Sequence, residues 1–199
     1  TDLSRVTVRK AIHELVKTGA IEQRQGSGSF VREAVTRVEQ SLSHLTSFTE
    51  DMQRRGLTTT SKWLERGVFM PSPEEVLALG LAAGDSVSRI YRLREAGGRP
   101  MALEMAALPM DILPNPIDVT TSLYDVLEQS GFRPIRAIQK ISAINLEPAE
   151  AALLEVAEGT AGLRIQRTSY LESGRVAELT RSIYRGDAYD FVAELRLSN

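Results

Sequence analysis

The chain has 199 residues, 24 Lys and Arg against 26 Asp and Glu, and 42% apolar residues, enough for one or two globular domains and too apolar for a disordered chain. It has no cysteine, which excludes disulfides, thiolate metal sites and thiol nucleophiles. The formal charge of −2 is unevenly spread: residues 1–37 hold seven Lys/Arg and four Asp/Glu (+3), leaving seventeen against twenty-two (−5) beyond. That asymmetry fits a small nucleic-acid reader joined to a larger acidic domain. No run of roughly eighteen apolar residues and no basic-then-apolar leader occurs, so no membrane span or signal peptide is expected and the default location is the cytoplasm.

Residues 3–31, LSRVTVRKAIHELVKTGAIEQRQGSGSFV, read as helix, strand, wing and strand. Val8, Ile12, Leu15 and Val16 recur at helical spacing and are expected to face a core, leaving Arg5, Thr7, Arg9 and Lys10 on an exposed cationic side. Ser4 or Thr7 can cap the helix, and Gly19 sits where a left-handed stop belongs. The alternating 20–25 then leads to Gly26-Ser27-Gly28 and a returning strand. A solvated amphipathic helix followed by an ordinary hairpin would also satisfy much of this pattern. Residues 34–45 carry no aromatic residue and read as a linker.

From 46 onward a second domain is expected. It begins with a short helix marked by Phe48 and Met52 and stopped by Gly56, followed by a strand over 61–69. Ser72-Pro73-Glu74-Glu75 has the cap, the proline and the acidic third position of a helix start; that helix should run to about Leu81 and end at Gly84. Strands over 86–95 and 99–108 flank Gly97-Gly98 as a hairpin, 122–129 reads as a helix, and 133–146 is mostly strand. Pro73, Gly84 and Arg89-Ile90-x-Arg92 then recur as Pro148, Gly159 and Arg164-Ile165-x-Arg167, a constant offset of 75 residues. A second hairpin, 164–171 and 176–184 turned at Ser173-Gly174, follows that repeat. The domain therefore reads as two helix-hairpin halves sharing one antiparallel sheet, an α+β fold.

Arg92 and Arg94 lie two apart on one strand and project from one face, as do Glu178, Thr180, Ser182 and Tyr184 on the final predicted strand. Paired guanidinium forks suit a phosphate or carboxylate, and Glu with Tyr suits a sugar or amine. A solvent-facing sheet on which Arg and Glu merely pair is the competing reading.

Two stretches carry a resemblance to a known family. Residues 3–31 resemble the second half of the winged helix-turn-helix of GntR-family bacterial transcription regulators: Ser-Arg-x-Thr-Val-Arg, Leu-x-x-x-Gly-x-Ile, Gly-x-Gly-x-Phe-Val. The segments LTSFTEDMQRRG, RIYRLREAGGRPMALE, SLYDVLEQSG and ELTRSIYRGDAYDF are similar to the effector-binding UTRA domain of the HutC-like branch, which has a chorismate-lyase-like sheet and includes repressors of N-acetylglucosamine utilisation. The resemblance implies a DNA-binding domain over 1–33, incomplete because Thr1 already lies inside the motif, and an effector domain over 46–199. It implies that Arg5, Thr7, Arg9 and Lys10 face DNA in the major groove, with Arg24, Gly26 and Gly28 of the wing at the minor groove. It further implies an effector site of Thr49, Arg92, Arg94 and Ser122 around a phosphate, with Glu104, Glu178 and Tyr184 holding the rest.

The expected function is a ligand-responsive regulator, a repressor, binding palindromic operator DNA as a homodimer under control of a small anionic effector: a phosphosugar, carboxylate or phosphonate. No cofactor, metal or catalytic residue is expected. The alternative is a small-acid-converting enzyme of chorismate-lyase-like fold. Only His13 and His44 exist, both ahead of the segments carrying Arg92 to Tyr184, so neither a Ser-His-Asp triad nor a His-rich metal site is supported there.

Overall fold

The structure, a computed structural model, describes residues 4–17, 21–24, 28–31, 37–195 and 197, with the backbone alone at 5, 17, 22–24 and 29–31. The chain divides into two compact units, 1–36 and 37–199.

In the first unit, α1 (Arg5–Lys17) is followed by β1 (Ile21–Arg24) and β2 (Gly28–Val31), paired antiparallel from Ile21 opposite Val31 to Arg24 opposite Gly28. Ser4 caps α1 by accepting the Thr7 backbone N–H at 3.2 Å. Gly28 has φ 104°, a conformation glycine adopts freely, as the expected wing requires. The expected core face of α1 is covered only in part: Ile12 and Val16 are half-buried, whereas Val8 and Leu15 are 42% and 43% exposed. The expected stop at Gly19 and the wing glycine Gly26 lie outside the described residues.

The second unit is organised by one six-stranded antiparallel sheet. Its strands are β4 (Thr59–Phe69), β5 (Val87–Ala96), β6 (Arg99–Pro109), β7 (Arg136–Asn145), β8 (Ala161–Tyr170) and β9 (Val176–Arg185), in the order β4-β5-β6-β9-β8-β7. That order is mirrored about the β6–β9 junction. Between β4 and β5 lies α3 (Pro73–Leu79), and between β7 and β8 lies α5 (Pro148–Leu153), so each half reads strand, helix, hairpin. The 75-residue repeat is therefore the repeat of a structural unit, and both hairpins join the same sheet.

Local chemistry explains the element ends. Ser72 and Glu75 form a reciprocal capping box on α3, and Gly80, at φ 66°, ends the helix four residues ahead of the expected stop at Gly84. Helix α2 (Phe48–Gln53) has the same box from Ser47 and Glu50. Successive strand residues face opposite sides of the sheet. Leu93 and Leu103 pack with Leu146, Ala151 and Leu154 beside α5, and Val87, Ala107 and Leu179 pack with Leu79 of α3. On the other face Ile90, Ala106 and Leu108 meet Leu123, Tyr124 and Leu127 of α4 (Leu123–Gln129). Met52 of α2 is fully buried, as Met52 and Phe48 anchor that helix, each contributing about 2 kcal/mol of apolar burial.

Two strands fall where none was expected. Segment 34–45, read as a linker, contains β3 (Val38–Ser41), which pairs parallel with β10 (Tyr189–Val192) in the second unit. Arg37 fastens this pair by donating to Asp190 Oδ2 at 2.6 Å and to the Gly186 carbonyl at 3.0 Å. The strand carrying Glu178 to Tyr184 is thus followed by one more.

Candidate functional site

The pleat of four strands gathers polar side chains onto one face at the centre of the sheet. On β5 and β6, Arg92 lies opposite Glu104 and Arg94 opposite Ala102; across the junction, Glu104 lies opposite Ser182 and Ala102 opposite Tyr184. On β8 and β9, Arg167 lies opposite Thr180 and Ser169 opposite Glu178. With Thr49 from α2 and Ser122 at the start of α4, Arg92, Arg94, Glu104, Arg167, Glu178, Thr180, Ser182 and Tyr184 line a cleft of about 530 Å³, counting the space open to solvent. Thr49, Arg92, Arg94, Glu104, Ser122, Glu178 and Tyr184 all line this one cleft.

The two neighbouring arginines are held differently. Arg92 chelates Glu104 Oε1 through Nε at 2.8 Å and Nη2 at 2.6 Å. Arg94, 1% exposed, donates through Nη2 to Thr49 Oγ1 at 2.7 Å, and its Nε has no partner among the described residues. Both Nη1 groups converge on the Thr121 carbonyl, at 3.1 Å from Arg92 and 3.0 Å from Arg94, which fixes the forks side by side. Phe48 lies under the Arg94 guanidinium at 4.5 Å, and Trp63 under Arg92 at 5.4 Å. Burial, reinforced by the charge of Arg92, lowers Arg94 to about 10, which leaves it a cation at neutral pH.

The two carboxylates have opposite fates. Burial would raise Glu104, but the charges of Arg92 and Arg94 outweigh it and hold the carboxyl below its ordinary value. Burial raises Glu178, and the Thr180 hydroxyl and the charge of Arg167 offset this only in part. Tyr184 is pushed up to about 12 by burial and by Glu104, so it is a neutral phenol. Ser122 has a second task, accepting the Asp125 backbone N–H at 3.2 Å as the cap of α4.

Arg167 was not among the expected site residues, yet it lines the cleft and a second, more open groove beside it, as does Gln40 of β3. Its Nε donates to Gln139 Oε1 at 2.8 Å and its Nη1 to the Thr46 carbonyl at 3.2 Å. The repeat carried the signal, since Arg167 stands 75 residues after Arg92. Tyr124 and Phe48 also line the cleft, and they too went unnoticed as site residues in the sequence.

In the first unit, Thr7, Arg9 and Lys10 are exposed on α1, which Arg5 begins. Arg24 closes β1 opposite Gly28.

Comparison with known proteins places both regions in one family. Residues 54–190 match the UTRA domain. The chain is 37% identical over 193 residues to the HTH-type transcriptional repressor NagR of Bacillus subtilis, covering 96% of this chain and 79% of that one. It is 32% identical over 198 residues to the mannosyl-D-glycerate transport/metabolism system repressor MngR of Escherichia coli, with 95% and 79% covered. The crystal structure of PhnF from Mycobacterium smegmatis matches with a TM-score of 0.75 at 27% identity, over 99% of this chain and 87% of that one. A GntR-family transcriptional regulator from Enterococcus faecalis matches with a TM-score of 0.63 at 31% identity, over 68% and 100%. These relatives are named as repressors and regulators, which sets aside the alternative of an enzyme on a chorismate-lyase-like sheet. The chain belongs to the UTRA-domain, HutC-like branch of the GntR family of transcriptional regulators.

Proposed function

We propose that the chain is a repressor that binds a palindromic operator as a homodimer and is controlled by a small anionic metabolite, a phosphorylated amino sugar, held in the cleft of the second unit. The observation that carries this reading is the gathering of Arg92, Arg94 and Arg167 from two strands around a cleft with one clearly ionised carboxylate, Glu104. Such an excess of guanidinium forks is costly to bury unless an anion completes it. The hydroxyls of Thr49, Ser122, Thr180 and Ser182 suit a polyhydroxylated body beside the anion. A related repressor, MngR, is named for mannosyl-D-glycerate, which likewise joins a sugar to an anionic group.

In the first unit, Arg5, Thr7, Arg9 and Lys10 supply the helix that reads the major groove, and Arg24, Gly26 and Gly28 the wing. Acting on operator DNA places the protein in the cytoplasm. The effector need favour one conformation by only about 1–3 kcal/mol to change operator affinity roughly 5- to 150-fold.

A thermal-shift screen of phosphosugars, urocanate and phosphonates tests the effector reading, since a ligand at about 100 times its Kd stabilises the folded chain by roughly 2.7 kcal/mol. A phosphosugar hit that also weakens operator binding is expected. Stabilisation by none of the anions, or by neutral sugars equally well, would sink it. For the DNA reading, operator binding by the full-length protein should have a steep salt slope, reduced by about one for each of Arg5→Ala and Arg9→Ala that removes a phosphate contact. Salt-independent binding is the contrary result.

A further inference from the structure

We propose that Glu178 meets the effector as a neutral carboxylic acid, donating Oε2–H to an acceptor oxygen of the ligand, so that this end of the cleft selects an uncharged, oxygen-bearing group over an ammonium. The inference rests on reading the cleft as the effector site.

Glu178 is 2% exposed and lines the cleft. Its Oε1 accepts from the Thr180 hydroxyl at 2.6 Å and from the Ser169 hydroxyl at 3.5 Å, and its Oε2 has no partner among the described residues. Both hydroxyls reach Oε1, which leaves Oε2 as the oxygen free to carry a proton. The two cations whose charge reaches Glu178, Arg92 and Arg167, bond other groups. On β5, Arg92 chelates Glu104; on β8, Arg167 bonds Gln139 and the Thr46 carbonyl. Glu104 on β6 repels a second negative charge, and Tyr124 of α4 is a neutral phenol joined to Ser169 at 3.3 Å. Among the described residues no ion pair reaches Glu178, in contrast to Glu104, which Arg92 grips at 2.6 Å. A buried carboxylate with one bare oxygen and no ion pair is far costlier than the protonated acid. The upward shift that burial imposes on this carboxyl agrees with the geometry. One cleft thus holds an ionised and a neutral carboxyl, the first organising the arginines and the second serving as a donor.

The test is carbon NMR of the glutamate side-chain carboxyls in the full chain, with Glu178→Gln identifying the Glu178 signal. Without ligand, that signal should still be the protonated acid's at the pH of the calorimetry, above the ordinary glutamate range. A signal that is already the carboxylate's at that pH overturns the proposal. Calorimetry with N-acetylglucosamine 6-phosphate and glucosamine 6-phosphate supplies the second arm. Wild type should prefer the acetylated probe to the amine by about tenfold or more, and Glu178→Gln, whose amide is a permanent neutral donor, should keep that preference where Glu178→Ala loses it. A preference for the amine in wild type, or a preference as large in Glu178→Ala as in wild type, is the opposite result. If neither probe binds wild type, the effector reading fails, and the carbon signal still decides the state of Glu178.

Discussion

The two halves of the sheet share one scaffold and carry different chemistry. In the first, α3 is locked by Glu75, which caps Ser72 and chelates Arg89 of β5 at 2.7 to 3.1 Å, and the cleft face holds the ion pair of Arg92 and Glu104. In the second, the positions 75 residues on place Arg164 in solvent and Arg167 in neutral hydrogen bonds, and the cleft face offers Ser169, Glu178 and Thr180. A duplicated frame has thus been divided into an end where Arg92 and Arg94 converge beside an ionised carboxylate and an end where a single arginine, held by neutral groups, stands among hydroxyls. That division suits a ligand with an anion at one end and hydroxyl or amide oxygens at the other.

The largest test of the contrast removes one cation from each half. Arg92→Ala leaves Glu104 buried without its partner and should cost roughly 3 kcal/mol in urea unfolding, most of it recovered in the Arg92→Ala/Glu104→Ala double variant. Arg167→Ala loses bonds to neutral groups and should cost about 1 to 1.5 kcal/mol. Equal losses at the two sites would erase the distinction. Next in size are the helices: Glu75→Gln should cost about 2 kcal/mol, because it breaks a buried, bidentate pair, whereas Glu150→Gln at the matching position should cost under about 0.5 kcal/mol.

The smallest effect is in pH dependence, and the two carboxyls give it opposite signs. Glu104, held below its ordinary value, contributes stability that is present above its unfolded pKa and lost as pH falls through the lower folded one; Glu104→Gln should flatten the acid limb of a Tm profile. Glu178, held above its ordinary value, contributes stability present below its unfolded pKa and lost as pH rises to the higher folded one. Glu178→Gln should flatten that decline. Profiles altered in the same direction by both variants would contradict the assignment.

The hairpins are legible in the sequence because Gly97-Gly98 and Ser173-Gly174 punctuate runs of strand-forming residues, and Arg92 and Arg94 because a two-residue spacing puts them on one face. The pairing of β3 with β10 is not, since it is parallel and joins residues some 150 apart through Val38 and Tyr189, with no local signal in either short strand. Arg167 is intermediate: its place in the repeat is visible, but its arrival in the cleft depends on β9 lying beside β6, which only the mirrored strand order brings about. The exposed Val8 and Leu15 show that helical spacing identifies an apolar face without saying what covers it.

The central claim is that the paired forks of Arg92 and Arg94 hold the effector's anion. Calorimetric titration of wild type and Arg94→Ala with N-acetylglucosamine 6-phosphate and with unphosphorylated N-acetylglucosamine tests it most directly. The phosphate ester should bind wild type at least about a hundredfold more tightly than the neutral sugar, with most of that preference gone in Arg94→Ala while circular dichroism shows the chain still folded. Equal affinity for the two sugars, or an unchanged preference in Arg94→Ala, would contradict it.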